Sequence, residues 1–127
     1  MKYIKHGYRA HRNMDACKCT KSLFTLHNET LSIWTHLLAT IYFMYQIKLV
    51  YLNEGAYQEV KERNNHYMLI AGLMCCTFSM LTSTIYHMFN SISRVVYLRL
   101  LRVDLMGIGI MIFGLAISLI YTGFHNY

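Results

Sequence analysis

The chain has 127 residues, 55 % of them hydrophobic and only 14 % charged, with no proline. A soluble domain carries about 25 % charged residues, so composition argues against one and leaves a small soluble helical bundle as the alternative to a membrane protein. The formal charge is +6. The basic residues flank long apolar runs, however, which points to membrane orientation and anionic head groups rather than to nucleic acid.

Residues 1–30 form a basic lead-in, with Lys2, Lys5, Arg9, Arg12, Lys18 and Lys21 set against Asp15. No short apolar core with a small-residue cleavage site occurs there, so a removable signal peptide is not expected. Leu23, Phe24 and Leu26 suit an end that lies along the membrane surface, with Lys18 and Lys21 at the head groups; the plainer alternative is a solvated basic tail. Cys17 and Cys19 make a lone C-x-C, a weak zinc signal. Cys75 and Cys76 fall within an apolar run, where cysteine acts as a small hydrophobe.

The first candidate span runs over 31–52, roughly 33 Å of helix and enough for the hydrocarbon core. His36 interrupts its start, and Gln46 and Lys48 its far end, where the lysine can snorkel. Trp34, Tyr42, Tyr45 and Tyr51 suit the interfacial belts. Residues 53–65 are a polar connection. The second span, 66–89, holds no formally charged residue at neutral pH beyond its histidines. A basic connection with Arg94, Arg99 and Arg102 precedes the third span, 103–124. That span is uncharged from Leu105 onward and carries Gly107, Gly109 and Gly114. These small residues permit close helix approach, but no G-x-x-x-G occurs, so a dimer motif is not supported. Residues 31–127 thus read as a transmembrane domain.

Lysines and arginines set orientation. The lead-in and the second connection hold most of the 12 basic residues and lie on one side if there are three spans. The expected topology therefore puts the N-terminus in the cytosol. Asn28-Glu29-Thr30 is a formal glycosylation sequon, so glycan on Asn28 would invert it.

With this topology the polar groups share one depth. Glu29 lies at the mouth of the first span and His36 about two turns further in. Ser83 and His87 lie in the last turns of the second, about 40° apart on one helix face. Asp104 opens the third. Ionisable groups in such segments usually face a bundle interior or a watery cavity, so the spacing describes a polar pocket open to the cytosol. Each member also has a plainer role. His36 can bond a neighbouring helix's backbone, Glu29 can favour a helix N-terminus, and Asp104 can pair with Arg99 or Arg102. Ser83 can back-bond within its helix, and His87 can be a satisfied core histidine.

The stretches H-G-Y-R (6–9), S-L-F-T-L-H-N-E-T-L-S-I-W-T-H-L-L (22–38), S-T-I-Y-H-M-F (83–89) and D-L-M-G-I (104–108) together resemble the progestin and adipoQ receptor family, which includes the adiponectin receptors and the haemolysin III proteins. They look closest to the branch whose members trap a Raf-type kinase at the Golgi. The resemblance implies an all-α integral membrane protein with a cytosolic N-terminus, of whose presumed seven-helix bundle this sequence carries three helices. It also implies zinc, with His87 as one ligand, Asp104 as the aspartate beside zinc-bound water, and Ser83 as the motif serine. The remaining ligands would come from an H-x-x-x-H motif in the last helix of the family. No such motif occurs here, Ser32 stands where the family has asparagine, and Leu105 stands where it has tyrosine.

Two functions follow from the resemblance. The first is a receptor or scaffold in the Golgi or another endomembrane rather than the plasma membrane, binding a lipid or steroid-like ligand and tethering a Raf-type kinase through the lead-in. The second is a zinc-dependent, ceramidase-like amide hydrolase in which Asp104 accepts a proton from zinc-bound water and Ser83 orients that water or the oxyanion. A third reading, from the residues, is a three-span accessory protein whose pocket is filled by a partner's side chains. The sequence is expected to be the N-terminal part of a longer protein, and this stretch alone is not expected to close a zinc site or to hydrolyse anything.

Overall fold

The computed structural model describes Arg9, residues 14–53 and residues 60–124, with the side chains of 60–62 left out. Residues 54–59 of the 53–65 connection, and all of the first dozen residues but Arg9, lie outside that set. All regular structure among the described residues is helical: α1 (Ala16–Lys21), a 3-10 turn (Ser22–Phe24), α2 (Thr30–Leu52), α3 (Val60–Phe89) and α4 (Arg94–Phe124). The end of the lead-in is therefore folded. Asp15 starts α1 by accepting the Lys18 backbone N–H at 2.7 Å, which satisfies one of the donors a helix N-terminus leaves open.

The passage into α2 is built by local hydrogen bonds. Glu29 N–H donates to His27 Nδ1 at 3.1 Å, while His27 Nε2 donates to the Ser22 carbonyl at 3.0 Å. Thr30 Oγ1 accepts the His27 N–H at 2.8 Å and donates to the Thr25 carbonyl at 3.0 Å. Trp34 Nε1 reaches back to the Leu23 carbonyl at 3.0 Å, and its ring meets Phe24 edge-on. The indole thus fastens the 3-10 turn to α2, which gives its polar edge a structural partner. Phe24 and Leu26 remain largely exposed.

The long helices overrun the spans read from hydropathy. α3 starts six residues before 66 and α4 nine before 103, so Arg94, Arg99 and Arg102 sit on the first turns of a helix and not in a loop. Apolarity marks only the part that must lie in hydrocarbon. Backbone hydrogen bonding continues past it through good helix formers such as Arg and Leu. Among the described residues, two helices are long and apolar enough to cross a membrane, Arg63–Phe89 and Arg94–Phe124. The helix α2 has 23 residues but is diluted by Ser32, His36, Gln46 and Lys48 and does not join them on that measure.

The central helix is α3, which packs against both α2 and α4. Its seam with α4 is made of small residues. A Cβ on Gly107 would lie 2.5 Å from Thr82 Oγ1 and 3.2 Å from Ser79 Cα, and one on Gly114 would lie 2.5 Å from Cys75 Sγ and 2.9 Å from Cys75 Cβ. Ser118 Oγ crosses the seam to the Met68 carbonyl at 3.0 Å. These contacts run in opposite order along the two helices, so α3 and α4 are antiparallel. The glycines seven apart face one way because seven residues are close to two full turns. Gly109, off that face, has nothing within 4 Å. The close approach permitted by these glycines is thus used within the chain. The outward side of α4 leaves Met106, Ile112, Phe113 and Leu119 more than half exposed, a surface suited to lipid hydrocarbon.

Candidate functional site

Three helix ends meet at one end of the molecule. The antiparallel order brings the start of α2, the end of α3 and the start of α4 together, as the depth argument from sequence requires. Two pairs of polar side chains form there.

The first pair joins α3 to α4. Ser83 and Asp104 are buried, at 5 % and 7 % exposure, and the Ser83 hydroxyl donates to Asp104 Oδ1. Ser83 therefore does not back-bond within its own helix, and the Asp104 carboxylate turns inward rather than towards the surface arginines. A buried carboxyl group without a hydrogen-bond partner costs several kcal/mol at the order-of-magnitude level, and the Ser83 hydroxyl supplies that partner. Thr82 and Thr84, next to Ser83, do back-bond, to the carbonyls of Ser79 and Met80 at 2.9 and 2.8 Å.

The second pair joins α3 to α2. His87 Nδ1 lies 2.7 Å from Glu29 Oε2. That hydrogen bond holds the Glu29 carboxyl below its ordinary value against the opposing effect of burial, with help from Asn90 and the Arg9 charge. Glu29 makes no side-chain cap on α2, so its carboxylate serves His87 and not the helix start. His36 stacks on His87 with ring centroids 5.3 Å apart and planes at 29°, and Tyr86 meets the same ring edge-on at 4.9 Å. His36 Nδ1 donates to the Ser32 carbonyl of its own helix, not to the backbone of a neighbouring helix. The ring is thereby clamped flat beside His87.

Sequence reasoning placed Glu29, His36, Ser83, His87 and Asp104 at this depth, and the structure brings them together as these pairs. It missed Arg9, whose guanidinium lies against the end of α3. Its only signal in the sequence is its membership of H-G-Y-R. A polar cavity of about 230 Å³ opens beside it, lined by Glu29, Tyr86, Asn90 and Tyr97 among others.

A metal ligand histidine usually donates its second ring nitrogen to a carboxylate, which fixes the tautomer. His87 fits that pattern: with Nδ1 against the Glu29 carboxylate, Nε2 is the ring nitrogen that would face a metal. No group of three His, Cys, Asp or Glu able to hold a metal ion occurs among the described residues. His87 is the residue among them that fits the pattern of a metal ligand.

Fold and site together define a helical membrane protein with a buried polar cluster at one end of its bundle. A family model described as haemolysin-III related matches residues 24–127. Similar curated proteins include the Membrane progestin receptor gamma-B of Danio rerio, 39 % identical over 90 residues, covering 71 % of this chain and 24 % of the relative. Another is Progestin and adipoQ receptor family member 3 of Homo sapiens, 34 % identical over 128 residues, covering 97 % and 39 %. A third is Heptahelical transmembrane protein 1 of Arabidopsis thaliana, 33 % identical over 117 residues, covering 87 % and 34 %. The chain spans between about a quarter and two-fifths of the length of these relatives. It belongs to the haemolysin III-related family of progestin and adipoQ receptors, and is a membrane protein of that receptor family.

Proposed function

We propose that this chain forms the N-terminal three spans of a seven-helix receptor or scaffold, and that it carries one wall of a cytosol-facing site for a lipid or steroid-like ligand. The observation that carries this reading is the meeting of α2, α3 and α4 through Glu29–His87 and Ser83–Asp104 at one end of an otherwise apolar bundle. The heptahelical name of the plant relative and the progestin named for the fish relative support the helix count and the ligand class. In this reading the spans are α2, α3 and α4, His87 is one zinc ligand, and the remaining ligands lie in helices beyond residue 127. A zinc ion bound there would act as a Lewis acid and lower the pKa of its water. Tethering of a Raf-type kinase at the Golgi through residues 1–30 belongs to the same proposal and rests on the resemblance of residues 22–38 to the Raf-trapping branch of the family. Deleting residues 1–30 should then abolish recruitment of the kinase, and unchanged recruitment would remove that element.

The buried Ser83–Asp104 pair beside a candidate zinc ligand favours one second reading, a zinc-dependent lipid amidase. Metal content and ceramide hydrolysis of the full gene product, with and without His87→Ala, separate the two. The receptor reading expects zinc that is lost with His87→Ala and no turnover that depends on His87. Turnover that vanishes with the substitution would install the amidase instead.

Cytosolic placement of the N-terminus predicts that Asn28 carries no glycan. The structure adds a physical reason, because the Asn28 side chain is engaged at both ends. Its Oδ1 accepts the Arg9 backbone N–H at 3.0 Å, and its Nδ2 donates to Glu29 Oε1 at 3.2 Å. Endoglycosidase treatment of protein from native membranes should leave its gel mobility unchanged. A shift that Asn28→Gln removes would overturn the topology.

A further inference from the structure

Arg9 is 5 % exposed, although it precedes the first long helix by some twenty residues and belongs to a stretch that reads as a solvated tail. Its Nη1 donates to the His87 carbonyl at 2.9 Å. Its Nη2 donates to the Cys19 carbonyl at 3.1 Å and to the Met88 carbonyl. Its own backbone N–H is held by Asn28. One residue therefore ties together α1, the approach to α2 and the last turn of α3.

Helix geometry makes this a natural seat for a guanidinium. The last four carbonyls of a helix lack intrahelical partners, and the C-terminus carries partial negative charge. His87 and Met88 lie in the last turn of α3, where their carbonyls are free to accept. A planar fork with several donors can serve carbonyls from two helices at once. An ammonium is a point charge on a flexible stem and cannot reproduce that spread.

We propose that Arg9 is a latch and a positioning residue: it ties α1 to the last turn of α3 and fixes the backbone of His87 while Glu29 fixes its ring. Docking of the lead-in and the geometry of His87 are then one coupled state. Anything that pulls the lead-in away releases the carbonyl side of His87. The latch involves only this chain's own hydrogen bonds, so it stands or falls separately from the zinc and receptor readings.

Cys19 reports the latch, because it is fully buried beneath Arg9 and burial pushes its thiol above the ordinary value. Cys17, two residues earlier, is exposed and serves as the open reference. The experiment is site-resolved N-ethylmaleimide labelling of the full protein in native membranes, read by mass spectrometry. Arg9→Ala should raise the Cys19 rate at least about tenfold, the factor that loss of one charge-assisted hydrogen bond corresponds to, with Cys17 unchanged. Arg9→Lys should fall between Arg9→Ala and the native protein. Lys21→Ala, which removes the same charge from an exposed position, should leave Cys19 protected. His87 should become more reactive to diethylpyrocarbonate in Arg9→Ala. Glu29→Ala should expose the His87 ring but leave Cys19 closed, which separates ring from backbone positioning. Cys19 staying protected in Arg9→Ala, or opening equally in Lys21→Ala, overturns the latch. Should Arg9→Ala also open Cys76, which is buried on α3, the helices have come apart and Arg9→Lys decides. An intermediate Cys19 rate with Cys76 closed upholds the latch, and a native rate refutes it.

Discussion

Gly114→Ala and Gly107→Ala are each expected to destabilise the protein by about 1–3 kcal/mol, the range for forcing extra atoms into a packed seam. At Gly114 the new methyl would meet Cys75 Cβ at 2.9 Å, an atom fixed to the α3 backbone, so the helices must separate. At Gly107 the nearest atom, Thr82 Oγ1, is the end of a side chain. It already donates to the Ser79 carbonyl at 2.9 Å, however, and Ser79 Cα stands at 3.2 Å behind it. Turning Thr82 aside forfeits a hydrogen bond and still leaves a backbone contact. Gly109→Ala is the control, with open space around it, and should be neutral or stabilising by up to about 1 kcal/mol, since alanine favours the helix. Equilibrium unfolding of the three variants in detergent, followed by the fluorescence of Trp34, tests this. Equal stability of Gly109→Ala and Gly114→Ala would mean that α3 and α4 do not approach through these glycines.

The second large effect concerns the Ser83–Asp104 pair, which lies on the same seam one turn from Gly107. Ser83→Ala removes a donor from a carboxylate that is 7 % exposed and should cost on the order of 1–3 kcal/mol. Asp104→Asn keeps an acceptor for the Ser83 hydroxyl, so its cost should be smaller. Partners in contact couple by about 0.5–3 kcal/mol in a double-mutant cycle, and this pair is expected within that range. Additivity to within about 0.3 kcal/mol would mean that the two side chains do not meet. The two predictions are linked physically. A methyl at Gly107 that pries α4 from α3 also draws Asp104 away from Ser83, so Gly107→Ala should reduce the coupling measured in its background.

Much of the site was legible because depth along an antiparallel helix can be counted. His36 and Glu29 near the start of one helix, His87 and Ser83 near the end of the next, and Asp104 at the start of a third must fall at one level whatever the packing. Which partner each group takes was not legible. Glu29 reads equally well as a helix-start acid, and Asp104 as the partner of a nearby arginine. The choice depends on how each helix is rotated about its axis, and periodicity gives no rotation between helices. The same limit hid the seam: Gly107, Gly109 and Gly114 look alike in sequence, yet only the first and last face α3. Arg9 was legible as a positive charge and a member of H-G-Y-R but not as a partner of α3, because the segment around it has no period and its partners are backbone carbonyls, which every residue possesses.

The sequence by itself determined the helical class, the apolar stretches, the family and the common depth of the polar side chains, because hydropathy, spacing and motif are properties of the chain read in one dimension. Only the tertiary structure decided that Ser83 serves Asp104, that Glu29 serves His87, that glycines let α3 and α4 touch, and that Arg9 closes the end of α3. Those outcomes turn on distances between segments far apart in the chain, which are set when the helices choose their faces and pack.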